Sequence, residues 1–99
     1  MSFTLHIVPI LVSDSTQRCW LVERTFDDRN LVRLVYATPD GTRYQQRERA
    51  ATSLERSPVT AAVDVDAAAL ERTPDEETRD RYAGEASRTA EQYEPDEPI

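Results

Sequence analysis

Lysine is missing from this chain altogether: its twelve basic residues are all arginine. Histidine and cysteine occur once each, as His6 and Cys19, and glycine only twice, as Gly41 and Gly84. A single cysteine cannot close an internal disulfide, so Cys19 reads as a small buried hydrophobe in a reducing compartment. One cysteine and one histidine cannot fill a tetrahedral zinc site without another chain. Two isolated glycines make no phosphate-cradling loop, and no serine lies in a nucleophile-elbow motif. Asp64 and Asp66 share a strand face, but that spacing is common and lacks the glycine of a calcium loop. Catalysis, a cofactor and a bound metal are therefore not expected. Long hydrophobic runs are absent too. Residues 3–12 are rich in apolar side chains but are interrupted by Pro9, and the run is about half of what a membrane-spanning helix needs. It follows no positive charge and precedes no small-residue cleavage site, so it is not read as an export signal. The expected location is cytoplasmic, with no membrane partner.

Acid is what the chain has in excess. Nineteen carboxylates against the arginines give a net charge of −7 and a pI near 4.6. The excess comes late: twelve acids and four arginines lie from residue 64 onward, whereas the first 63 residues hold seven acids and eight arginines. This composition, lysine-free, carboxylate-dense and rich in Ala and Thr, resembles that of cytosolic proteins from salt-in halophiles such as the haloarchaea. The resemblance covers composition and no motif, so it implies a habitat and no activity. In concentrated salt a dense carboxylate surface keeps a protein hydrated and apart from its neighbours, at some self-repulsive cost.

Ninety-nine residues leave room for one domain. The valines, leucines and isoleucines cluster before residue 66. Residues 3–12, 18–26, 31–37 and 42–49 read as strands from their β-branched and aromatic content and their flanking turns. The clearest turn is Thr38-Pro39-Asp40-Gly41-Thr42, with Pro where φ near −65° is wanted and Gly where φ must be positive. Val59, Ala61, Val63 and Val65 alternate with polar or small residues, the period of a fifth strand with one face buried. Thr73-Pro74-Asp75-Glu76 reads as a capping box with Thr73 as cap, opening a helix over residues 74–93 with a narrow stripe of Tyr82, Ala83, Ala86, Ala90 and Tyr93. The expected fold is α+β: a curved, mainly antiparallel five-stranded sheet, open or closed into a small barrel, with one C-terminal amphipathic helix. Residues 1–66 form the sheet core, 67–93 an acidic connector and helix on or beside the sheet, and 94–99 a frayed acidic tail. Apolar residues fall on both sheet faces, so the sheet must curl on itself or a second chain must cover one face.

The stretch RYQQRER, residues 43–49, packs positive charge into an acidic chain. Simple turns give hairpin registers. A loop after residue 12 sets Leu11 opposite Cys19, Ile10 opposite Trp20 and His6 opposite Arg24. A two-residue turn at Asp28-Arg29 sets Arg24 opposite Arg33. A three-residue loop at Pro39 to Gly41 sets Arg33 opposite Arg47 and Tyr36 opposite Tyr44. Together these line up His6, Arg24, Arg33 and Arg47 across one face, a row that a one-residue slip would break. Cys19 then points away from His6, which removes a Cys-His nucleophilic pair. Like charges opposite one another are unfavourable, so the row needs a reason. It is a solvated edge that discourages edge-to-edge pairing, a surface neutralised by the acidic helix, or a site for a phosphate or carboxylate ligand. The candidate binding residues are His6, Arg24, Arg33, Arg43, Arg47, Tyr36 and Tyr44. The leading expectation for function is a non-catalytic interaction module, a self-associating adaptor or regulator of a larger assembly with a protein partner. The alternative is a small RNA- or single-strand-binding protein that uses the arginine row and the tyrosine pair.

Because the negative charge is concentrated in the last third of the chain, folding is expected to depend on salt. Circular dichroism in low and molar salt tests this; equal folding and equal heat stability in both would remove the halophile reading.

Overall fold

The computed structural model of the protein describes residues 15–99. The expected first strand, residues 3–12, and His6 lie outside them. Among the described residues five strands form one antiparallel sheet: β1 (Thr16–Phe26), β2 (Leu31–Ala37), β3 (Arg43–Ala50), β4 (Ala62–Asp66) and β5 (Glu71–Arg72), in the spatial order β4-β1-β2-β3-β5. One helix, α1 (Glu76–Gln92), follows. The flank of β1 that the sequence assigned to residues 3–12 is taken by β4, which sets Val63 opposite Cys19 and Ala62 opposite Trp20. The fifth strand is the short β5, within the segment expected to be a connector.

The order of strands dictates curvature. β4 and β5 are the two sheet edges, yet only Leu70 and the 3-10 turn Ala67–Ala69 separate them. Four strand spacings on a flat sheet measure about 19 Å, whereas the five residue steps from Asp66 to Glu71 reach at most about 18 Å fully extended. A 3-10 turn rises only about 2 Å per residue, so the sheet must curl until its edges approach. It remains open, because no pairing joins β4 to β5. Leu70 packs against the cluster of Cys19, Leu21, Val32, Leu34, Tyr36, Val59 and Val65, which marks that face as the concave one. The concave cluster is also covered by Leu54, from the 3-10 turn Ala51–Glu55, and by Ile99. The convex face buries Val35 and Ala37 beneath Tyr82 of α1, with Val22 and Tyr44 beside them. Helix on one side and irregular chain on the other thus cover both apolar faces.

Both described hairpins are longer than expected. Between β1 and β2, Asp27 accepts from the Arg29 and Leu31 amides (2.9 and 3.3 Å), and Asn30 takes a positive φ of 67°. Asparagine tolerates that conformation because its short polar side chain can bond locally. Three residues now form the loop, so Arg24 faces Leu34 and Arg33 faces Thr25. A bulge between Leu21 and Glu23 restores the expected register beyond it, with Trp20 opposite Ala37. In the next hairpin the Asp40 carboxylate holds the Thr42 amide (3.0 Å) and hydroxyl (2.8 Å), drawing Thr42 into a four-residue loop. Arg33 therefore faces Glu48, Leu34 faces Arg47 and Tyr36 faces Gln45.

Thr73 is not the helix cap. Its hydroxyl donates to the Gly41 carbonyl (2.6 Å) and its amide to that of Thr42 (2.9 Å), tying the hairpin tip to the chain leaving β5. The cap passes to Asp75, whose carboxylate accepts from the Thr78 amide at 2.7 Å; this bond holds that carboxyl below the usual range. Residues 94–99 are not frayed. Backbone bonds join Ala61 to Glu97, Ala62 to Pro95 and Ile99 to Val59, at 2.8–2.9 Å.

The two glycines carry opposite expectations. Gly41 has φ +75°, and a Cβ there would collide with the Arg79 carbonyl and lie 2.9 Å from Ala83 N, whereas a Cβ on Gly84 meets open space. Gly41→Ala is expected to cost more than about 1 kcal/mol, through left-handed strain and the displaced helix. Gly84→Ala is expected to gain up to about 1 kcal/mol. Urea unfolding of the two variants measures both signs.

Candidate functional site

The pairing of β3 with β2 runs without a bulge, so β3 alternates strictly. Arg43, Gln45, Arg47 and Arg49 point to the concave side, and Tyr44, Gln46 and Glu48 to the convex side. This resolves the density of arginines in residues 43–49: they form a column down one face of one strand. The row expected across strands does not form. Arg33 lies on the convex side, 3.9 Å from Glu48. Arg24 does share the concave face with Arg47, but Leu34, 1% exposed, stands between them. One slipped residue in each hairpin keeps the outer two arginines aligned and replaces the middle one with leucine. The tyrosines separate as well. Tyr36 is 2% exposed and donates its hydroxyl to the Thr60 carbonyl at 3.1 Å. Tyr44 sits on the other face with its ring edge-on to Tyr82, centroids 5.9 Å apart.

At the concave side of the column the chain turns back over β3 and leaves a cavity of about 220 Å³, lined by Tyr36, Arg47, Arg49, Ser57, Thr60 and neighbouring apolar groups. Arg47 lies over the Tyr36 ring, 5.5 Å from its centroid, and donates Nε to Gln45 at 2.6 Å. Arg49 donates Nη2 to the Ser57 carbonyl (2.7 Å) and to Ser53 (3.2 Å to Oγ), which pins the covering turn. Arg24 reaches the Ile99 main-chain oxygen at 2.9 Å. Burial pushes the Tyr36 hydroxyl above the usual phenol value, and Arg47, Arg49 and Arg24 each pull it back. Three guanidinium groups therefore act on one point of the concave face. The acidic helix does not neutralise them, because it packs on the other side.

The column ends in a second hollow. Arg43 stands directly opposite Arg72 of β5, at the mouth of a 490 Å³ cleft that Thr42, Thr73, Glu76 and Arg79 also line. Arg79 is engaged by Glu76 (3.2 Å) and Asp80 (3.8 Å). The Arg43 and Arg72 side chains make no hydrogen bond or ion pair among the described residues. Sequence reading missed Arg72 and Arg49. A two-residue strand carries no periodicity, so nothing marked Arg72 as a neighbour of Arg43. Arg49 was legible as i+2 from Arg47, had the alternation of β3 been weighed above the cross-strand row.

No group of three potential metal ligands occurs among the described residues. Asp64 pairs with Arg18 at 3.3 Å, and Asp66 caps the Ala68 amide at 3.1 Å. No helix among the described residues is long and apolar enough to cross a membrane. Cys19 is fully buried, and burial pushes its thiol up to about 11 against the pull of Arg47. At pH 8 an ordinary cysteine is about one-quarter thiolate, and this one about a thousandth. Iodoacetamide is expected to alkylate the native chain at least about two-hundredfold more slowly than the urea-unfolded chain; comparable rates would place Cys19 at an accessible, reactive position.

No curated protein and no solved structure matches the chain. A family model does match over residues 13–99, nearly the whole sequence and all of the sheet, helix and arginine column described above. The chain belongs to that family, a family of unknown function designated DUF7967.

Proposed function

We propose that the chain is a non-catalytic interaction module that grips a carboxylate-bearing protein segment at the Arg43–Arg72 cleft. One observation carries the reading: two arginines face each other across a strand pair, and neither side chain has a hydrogen-bond or ion-pair partner among the described residues. Such an arrangement is repulsive when empty and is relieved by a bidentate anion between the forks. The cleft is open and polar-lined, suited to a chain segment rather than to an enclosed small molecule. The simplest partner is a second copy. Its last third, with twelve acids, supplies the carboxylates, and association through short bidentate contacts survives molar salt, where the Debye length is about 3 Å. Nucleic-acid binding is the weaker reading, because Tyr36 and Tyr44 are both committed to packing and are not free to stack on bases.

The test is sedimentation of the intact chain and of Arg43→Gln/Arg72→Gln in molar salt, with a glutamate-rich peptide and a single-stranded oligonucleotide as added ligands. The wild type is expected to self-associate and to bind the peptide. The double variant is expected to be at least as stable, because a repulsion is removed, and to lose both interactions by tenfold or more. Unchanged association in the variant sinks the proposal, and preference for the oligonucleotide transfers the cleft to the nucleic-acid reading.

A further inference from the structure

We infer that the concave face holds one small oxyanion, a single phosphate or carboxylate group, between Arg47 and Arg49 beside the Tyr36 ring. The inference stands apart from the cleft reading, since it uses neither Arg43 nor Arg72. Its basis is charge that the fold buries and leaves unbalanced. Both arginines are half-buried residues, no carboxylate lines their cavity, and neither forms an ion pair among the described residues. This is in a chain whose nineteen carboxylates outnumber its twelve arginines by seven. Cations withdrawn from water without a counter-charge are costly, and a hydrogen-bonded anion removes the cost.

The geometry supplies the donors. Arg47 uses only Nε, toward Gln45, and Arg49 only Nη2, toward Ser53 and Ser57. Both terminal nitrogens of Arg47, together with Nε and Nη1 of Arg49, have no acceptor among the described residues. Residues two apart on one strand face are about 6.8 Å apart at their backbones, a separation that long side chains close around one anion from two sides. Guanidinium forks match the oxygen spacing of carboxylate and phosphate. Arg24, across Leu34, adds to the positive potential at the same point. Size narrows the ligand: 220 Å³ is the room of about seven waters, enough for one phosphate with residual water. It is below the roughly 300 Å³ at which pockets for larger organic ligands begin.

Isothermal titration of the intact chain with sodium phosphate, at ionic strength held constant with chloride, tests the site. One phosphate per chain is expected. Arg47→Gln is expected to weaken it at least tenfold without lowering the thermal midpoint of the phosphate-free chain, while Arg43→Gln/Arg72→Gln binds phosphate like the wild type. Arg49 is left intact because it also pins the covering turn. Should Arg47→Gln fail to fold, Arg47→Lys keeps the charge but loses the fork, and is expected to fold and still bind phosphate at least tenfold more weakly. Acetate competition fixes the class: displacement at concentrations equal to phosphate identifies a carboxylate site, and weaker displacement a phosphate site. Absence of saturable binding below about 10 mM phosphate overturns the inference. So does wild-type affinity in the folded Arg47 variant, or loss of binding in the Arg43/Arg72 variant alone, which would make the cleft the only anion site.

Discussion

Everything distinctive in this molecule follows from the shortness of the chain between β4 and β5. Two strands at opposite edges of a five-stranded sheet are joined by a 3-10 turn and Leu70, a reach that a flat sheet cannot accommodate. The resulting curl makes one face concave, and the irregular chain after β3 folds into that hollow along with Ile99. With that hollow filled, α1 packs on the convex face. The segregation has an electrostatic consequence. The acidic helix and the concave arginines lie on opposite sides of the sheet, and neither Arg47 nor Arg49 forms an ion pair among the described residues.

Aspartates serve the fold in another way. Asp27 and Asp40 accept amides inside the two hairpin loops, Asp66 inside a 3-10 turn and Asp75 at the helix start. Amide hydrogen bonds hold the carboxyls of Asp27, Asp40 and Asp75 below the usual range. At the hairpin tip this local chemistry becomes tertiary. Asp40 gathers Thr42, Thr73 bonds the carbonyls of Gly41 and Thr42, and α1 packs against Gly41 so closely that no Cβ fits. The same node brings β5 to β3 and so sets Arg72 opposite Arg43.

Much of the architecture was legible from periodicity. The strands over residues 18–26, 31–37 and 42–49 were read within two residues of their observed ends, the helix likewise, and the positive φ of Gly41 was read although its loop is one residue longer than expected. These features depend on neighbours in sequence: alternation, turn residues and an apolar stripe. The misread features share a different origin. The cap at Asp75 was lost because Thr73 was spent on a carbonyl 32 residues away. Residues 94–99 looked like a tail because their backbone partners, Val59, Ala61 and Ala62, are distant in the chain.

The arginines mark the boundary between the two kinds of information. The sequence by itself determined that Arg43, Arg47 and Arg49 share one face of a strand, since side-chain direction alternates with a period of two whatever the strand packs against. It also determined that the chain is acidic and lysine-free. Which residues face those arginines was decided only by the tertiary structure. Register is set by loop length, and each loop gained one residue because a side-chain carboxylate found amides to bind, a difference too small to appear in the hydrophobic pattern. A one-residue slip turned Arg33 to the convex face and put Leu34 in its place, while a two-residue strand brought Arg72 to Arg43 from a part of the chain that no local pattern connects to it.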